Sequence, residues 1–333
     1  MKALPSWCRV ALPILLSQIL LLGAFPASAQ SPVKLTLSHN AAANTPRADA
    51  ALKFAELVKA KSNGRIVVDI NPGGKLGENL EMLTDLRTGS LDMSINTHGT
   101  LATVVPEVGA FGLPYAFSSP AKVWEILDGS IGQELAKKIE AQGMMTLGWM
   151  DNGARHISNN KRPILKPDDM AGMKIRTTSD KVMMDSMKAL GANPVPIGFG
   201  DLYDAMKIGY VDGQENPLTN FKQKKMHEVQ KHLAITYHSY GLAPFLMSNQ
   251  SWSKLSSDDR KTIQAAAQEA VVLQRKMSDE VDDKILEEYK KMPSVAITTP
   301  DPAPFKAATQ KVWDSWELKP FGAFVKKLRA ASN

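Results

Sequence analysis

Two arginines followed by a polar turn are the residues of this chain best suited to chemistry. Arg155 ends the string Asn152-Gly153-Ala154-Arg155, Arg176 ends Met173-Lys174-Ile175-Arg176, and Val211-Asp212-Gly213-Gln214-Glu215-Asn216-Pro217 follows. An arginine at a strand end is fixed where loops meet, and its planar fork matches a carboxylate. Either arginine alone is as well explained by an ion pair inside the protein. Two in one region, with Glu215 and Asn216 at a third strand end, favour a cleft that reads an organic anion. Charge-assisted contacts in a desolvated cleft contribute about 1.5–3 kcal/mol each. Two of them with a few neutral hydrogen bonds reach micromolar affinity, about −8 kcal/mol.

Other chemistries find less support. The chain has no G-x-S-x-G elbow, H-E-x-x-H pair, P-loop or Rossmann glycine fingerprint. Its histidines are His39, His98, His156, His227, His232 and His238. His227 and His232 fall in a Lys-rich stretch expected to be a solvated helical face. His39 and His98 both follow strands, so an enzyme built on a His39/His98 site is the rival to a binding cleft. No catalytic residue, metal ligand or cofactor is assigned. The single cysteine, Cys8, precedes an apolar run, so the mature chain holds no disulfide, thiolate nucleophile or Cys-ligated zinc. The 40 Lys and Arg against 34 Asp and Glu make the chain mildly basic, with no basic block interleaved with aromatics, so nucleic acid is not an expected partner.

The N-terminus reads as an export signal over residues 1–29. Lys2 and Arg9 precede an apolar run from Val10 to Phe25, and Ala27-Ser28-Ala29 fits signal-peptidase cleavage near Ala29, with a periplasmic product. The run is too short and too broken by Pro13 and Gly23 for a good membrane anchor. An exported chain without disulfides needs a large core, and about 300 residues exceed what one compact core uses, so two domains are expected.

The elements that must carry the arginines follow an α/β rhythm. Val33–Ser38, Arg65–Ile70 and Leu91–Ile95 read as strands, with helices over 48–61 and 78–88 between them. Their ends are polar: His39-Asn40, and Asn96-Thr97-His98-Gly99. Ligands of open α/β sheets bind at such strand ends. Gly143–Met150 reads as an apolar strand, Arg155–Ser158 as a further strand-like segment where the chain crosses domains, and 233–240 and 245–249 as two more strands. Ser256-x-x-Asp259 opens a stretch free of Gly and Pro up to Pro293. A helix over 258–292 would span roughly 50 Å, more than one small domain. The expected division is domain I at 30–153 plus 242–281 and domain II at 154–241 plus 282–333, with the helix spanning both.

Several strings carry a family resemblance. Asn152–Arg155, Asp169–Arg176, Gly191–Pro196 and Val211–Pro217, with Leu76-Gly77-Glu78, Gly89–Asp92 and Phe111–Tyr115 in the same order, resemble the DctP-type solute-binding proteins of TRAP transporters. The resemblance covers nearly all of the mature chain. It implies two α/β domains hinged around a cleft and crossed by a long helix, closing on an organic acid for delivery to membrane subunits. By the same resemblance Arg176 pairs with the ligand carboxylate and Arg155 is a second ligand arginine. Glu215 and His238 then support the first arginine, Asn216 contacts the ligand, Phe199 packs on it, and Asn40 contributes from the first domain. Sialic-acid-binding members carry acidic residues where Thr97 stands and near Asn79, and both are neutral here. With His98 and His39 nearby, this favours a C4-dicarboxylate, a uronate or other sugar acid, or an oxo- or hydroxy-acid. Tyr240, at the end of the run that holds His238, completes the candidate set. A monomer is expected, and a receptor for a sensor kinase is an alternative to transport.

Overall fold

Short apolar runs bounded by Gly, Asn and Pro form strands, and the apolar-periodic stretches between them form helices. The computed structural model describes residues 32–332, and the expected signal segment lies outside them. The strands are β1 (Val33–His39), β2 (Ile66–Asn71), β3 (Met93–Ile95), β4 (Met144–Asn159), β5 (Lys174–Thr177), β6 (Asn193–Pro196), β7 (Gly213–Pro217), β8 (His232–Ser248) and β9 (Ala296–Thr298). They join in one mixed sheet in the order β2-β1-β3-β8-β4-β7-β5-β6, with β9 on β8. β1 runs parallel to β2 and β3, and β5 parallel to β6 and β7. β4 and β8 are antiparallel to each other, β4 to β7 and β8 to β3, whereas β9 runs parallel to β8.

β4 and β8, with 16 and 17 residues, hold the two ends of the sheet together. At about 3.3 Å per residue each extends roughly 50 Å. One end of β8 pairs Phe245 with Ile95 of β3, and the other pairs Leu233 with Ile297 of β9. The segments expected as separate strands before and after Asn152 are therefore one strand, and 233–240 and 245–249 likewise. The turn signal of Asn152-Gly153 is absorbed as irregular pairing: register shifts fall at Asp151/Gly153 and Arg155/Ile157, and Gly153 takes φ +94° opposite Gly241.

Two lobes follow from this sheet, a first around β1–β3 and a second around β5–β7. The helix Ser257–Lys290 crosses both. Ser256 caps it by accepting from Asp259 N–H, and its 34 residues extend about 51 Å. Its Ile263, Ala267 and Val271 join a core with Leu35, Phe54 and Phe245, while Ile285 and Tyr289 join another with Phe199, Leu202 and Phe221. The last helices correct the expected division. Trp316, Phe324 and Leu328 share a core with Met82, Phe111 and Leu135 of the first lobe, so residues 282–333 do not pack wholly on the second. The helix Pro302–Glu317 makes the crossing, since its Phe305 packs with Ile157 and Ile175 of the second lobe.

Two local differences bear on the site. The polar end after β3 is helical, His98–Leu101, with Thr97 accepting from Thr100 N–H as its cap. The first long helix begins at Pro46, with Thr45 as cap, which brings Arg47 into its first turn. His227 lies in a 3-10 turn and His232 opens β8, so they do not share a helical face.

Candidate functional site

The carboxyl ends of β1, β3, β5 and β7 converge on one cavity of about 540 Å³, counting all space not filled by atoms. The first lobe contributes Asn40 after β1, Asn79 at a helix start, and Thr97 and His98 after β3. The second contributes Arg176 and Phe199, and the junction strands contribute Arg155, Glu215 and Asn216.

Arg176 is 1% exposed. Its Nε and Nη2 both donate to the Ile197 carbonyl, at 2.9 and 2.7 Å, which fixes the plane of the guanidinium. Nη1 is buried and has no hydrogen-bond partner among the described residues. Burial pulls its pKa down to about 10, against the attraction of Glu215, so it remains charged at neutral pH. A buried charge without a counter-ion is costly, and this one faces the cavity.

Arg155 corrects the expectation of a second open fork. Its Nη2 lies 2.9 Å from Glu215 Oε1 and its Nε donates to Oε2, so two edges are closed inside the protein. Nη2 also reaches Asn216 Oδ1 at 3.3 Å, and Nη1 has no hydrogen bond among the described residues. The internal ion pair weighed against the cleft reading is realised at Arg155 and not at Arg176. Glu215 and His238 support Arg155 rather than Arg176. The reason is register: Arg155 and Glu215 lie on paired antiparallel strands, whereas Arg176 leaves β5 toward the Ile197 carbonyl.

His238 stands behind Glu215, its Nε2 3.5 Å from Oε2 and its Nδ1 2.8 Å from Thr236 Oγ1, and it does not line the cavity. Burial lowers its pKa, although Glu215 pulls the other way. Asn216 is held by Gln214 at 2.6 Å and by Asn220 at 3.0 Å. One Nδ2–H of Asn216 has no acceptor among the described residues. Asn79 Oδ1 is buried and has no partner among the described residues, and Phe199 lies under Lys224 Nζ at 4.9 Å from the ring centroid.

His39 and Tyr240 are not brought to the cavity. Tyr240 turns instead to Trp124, edge to face at 6.1 Å, and lines a separate groove with Asp151 and Asp282. His39 is fully buried, neither ring nitrogen has a partner among the described residues, and burial, aided by the charge of Arg47, lowers its pKa to about 4. His98 accepts from Leu242 N–H at Nδ1, 3.1 Å, which leaves the proton on Nε2. Burial, then Arg155, lowers it to about 4, so it is neutral. Among the described residues no group of three or more His, Cys, Asp or Glu is placed to hold a metal ion.

Several cavity residues escaped the sequence reading, Asp180, Asn152 and Arg47 among them. Asp180 caps the helix Lys181–Ala189, accepting from Val182 and Met183 N–H, and its Oδ2 lies 3.7 Å from His98 Nε2 across the lobes. That spacing is beyond a hydrogen bond. Asn152 accepts from Arg47 Nη2. Arg47 is a third guanidinium at the cavity, 7% exposed. Its signal was a cation in the first turn of a helix, against the preference of the helix dipole. Cross-lobe contacts close the rim: Gly200 N–H donates to Glu78 Oε1 at 2.8 Å, and Gln223 Nε2 to the Asn40 carbonyl at 3.3 Å.

Comparison with known proteins shows the family. Residues 37–319 match the family model DctP, bacterial extracellular solute-binding protein, family 7. An uncharacterized protein of Sinorhizobium fredii, y4mM, is 43% identical over 287 residues, covering 86% of this chain, which spans only 53% of that protein's length. The C4-dicarboxylate-binding periplasmic protein DctP of Rhodobacter capsulatus is 35% identical over 268 residues, 80% of this chain and 79% of that one. The crystal structure of the sugar acid binding protein DctPAm from Advenella mimigardefordensis, in complex with galactonate, superposes with a TM-score of 0.87 at 30% identity, covering 91% of this chain and 98% of that one. The architecture is thus α/β, with two lobes hinged about a cleft and a helix that spans both. The chain belongs to the DctP family of bacterial extracellular solute-binding proteins, receptors rather than enzymes.

Proposed function

We propose that the protein is an extracytoplasmic receptor that binds a small organic acid through Arg176 and delivers it to the membrane subunits of a TRAP transporter. One observation carries the reading: a guanidinium 1% exposed, oriented by a single carbonyl, whose Nη1 has no partner among the described residues and whose side chain lines the cavity. A ligand carboxylate supplies the missing acceptor, worth about 1.5–3 kcal/mol for a charged pair. Arg155, held by Glu215, contributes Nη1 alone. Asn216 offers its remaining N–H, Phe199 an apolar face, and Asn40, Asn79, Thr97 and His98 close from the first lobe. The ligand touches both lobes only when they are shut, so its binding energy drives a hinge closure. Membrane subunits then read the closed shape. The family is extracytoplasmic, consistent with residues 1–29 acting as an export signal, and the receptor works as a monomer.

The test is a thermal-shift screen of residues 30–333 against dicarboxylates, sugar acids, oxo-acids and neutral sugars, followed by Arg176→Ala. A ligand that binds only the native state raises the midpoint. One class of acid is expected to stabilise, and Arg176→Ala to weaken it by about tenfold or more, ~1.4 kcal/mol, with the fold intact. Stabilisation by a neutral sugar or a metal and by no acid overturns the proposal, as does unchanged affinity in Arg176→Ala.

A further inference from the structure

Arg47 occupies a position that disfavours a cation twice. It lies in the first turn of the helix Pro46–Lys61, where the helix dipole is positive, and it is buried. Burial comes first among the causes that lower its pKa to about 10, with the charge of Arg155 adding to it. The protein does not repay this with an ion pair. Arg47 Nη2 donates to the neutral Asn152 Oδ1, and its buried Nε has no partner among the described residues. Asp151 attracts it, but the Asp151 carboxylate is engaged by Gly153 N–H at 2.7 Å.

The other charges of the cavity are already matched. Glu215 closes on Arg155, and Asp180 is held by the start of its own helix, with Val182 N–H at 2.9 Å. Two buried guanidiniums remain without a direct ion pair among the described residues, Arg176 from the second lobe and Arg47 from the first, and both line the same cavity. A monocarboxylate on Arg176 leaves Arg47 uncompensated. A ligand with an anionic group at each end compensates both, and it ties one lobe to the other through charge.

We propose that Arg47 reads a second carboxylate and makes this receptor select diacids over monoacids of the same length. The inference rests on the organic-acid reading of the cavity and narrows it. It assigns Arg47 as a specificity-determining residue and removes singly charged sugar acids from the preferred class.

Calorimetric titration of two matched pairs tests it: succinate against succinamate, and D-glucarate against D-gluconate, at pH 7.5. In at least one pair the wild-type protein is expected to bind the diacid about tenfold or more tightly than its partner. Arg47→Gln is expected to abolish that preference by weakening the diacid and leaving the monoacid nearly unchanged, and Arg47→Lys to retain part of it. The inference is overturned if neither diacid is preferred by the wild-type protein, a comparison that needs no variant. It is also overturned if Arg47→Gln weakens both members of a pair alike, which would mark Arg47 as a structural partner of Asn152. Tight binding of monoacids that depends on Arg176 defeats this inference alone. Binding of no acid at all defeats the organic-acid reading with it.

Discussion

Arg155 and Glu215 lie diagonally across paired antiparallel strands, Nη2 to Oε1 at 2.9 Å, with the carboxylate fully buried. Burial alone raises a carboxyl pKa. Here it is outweighed by the charge and hydrogen bonds of Arg155, with His238 close beside the carboxylate, which hold Glu215 down to about 2. The pair therefore orders the floor of the cavity without facing the ligand with its main edge. Removing one partner of a buried ion pair strands the other, at a cost of about 3–5 kcal/mol. Glu215→Gln and Arg155→Met are each expected to lose stability on that scale in denaturant unfolding, and the double variant less than the sum. A Glu215→Gln protein as stable as the wild type would show that the pair contributes only geometry.

The same carboxylate sets an acid limit. Its pKa is lowered from 4.5 to about 2 on folding, so its stabilisation is present above pH 4.5 and is lost as pH falls toward 2. The difference in thermal midpoint between wild type and Glu215→Gln is expected to shrink across that window. A difference that stays constant from neutral pH to pH 2 would place the destabilisation of the variant elsewhere.

Asp180 has the opposite sign. Burial raises its carboxyl from 3.8 to about 6 despite backbone hydrogen bonds from Met183 and Val182 and the nearby charge of Arg155. Its relative stabilisation is full below pH 3.8 and is lost as pH rises through about 6. Asn keeps the helix cap without the charge. Asp180→Asn is expected to be more stable than wild type at neutral pH, on the order of 2 kcal/mol, with the gain fading as pH falls below about 6. Equal stability of the two proteins at pH 7 would mean that the carboxylate is better solvated than its burial implies.

The α/β rhythm, the spanning helix and the polar strand ends beside the cavity were legible because they rest on local signals. The cap at Ser256 and the absence of Gly and Pro that follows predict the helix, and polar residues after strands predict Asn40, Thr97 and Asn216. What resisted was pairing. Arg155 and Arg176 look alike as strand-end arginines, and only the register of β4 with β7 gives one of them an internal carboxylate. Arg47 was hidden because its helix starts two residues before the apolar period does, at Pro46. Tyr240 and His238 lie two apart on β8, but the pairing of β8 with β4 is irregular there, and Tyr237 takes φ +46°, so alternation does not predict which of them approaches the cavity. The return of Trp316 and Phe324 to the first lobe has no local signature, since an apolar helical face fits any core.

Gly99 lets Asp180 of the second lobe pack closely against the first. A Cβ added there would lie 2.7 Å from Asp180 Cβ, closer than side chains approach, although Gly99 itself has no left-handed backbone. Asp180 cannot easily yield, because its carboxylate is committed to the cap of its own helix. The contrast is Gly200, where a Cβ would meet Glu78 Oε1 at 2.5 Å, the far end of a flexible side chain. Gly99→Ala is therefore expected to hold the lobes apart and weaken ligand binding by about tenfold or more, while the ligand-free protein unfolds at an unchanged midpoint. Gly200→Ala is expected to cost much less. Small-angle scattering with and without ligand checks the cause: compaction on binding should be reduced in Gly99→Ala and preserved in Gly200→Ala. Full compaction and full affinity in Gly99→Ala would mean that the approach of Gly99 to Asp180 does not limit closure.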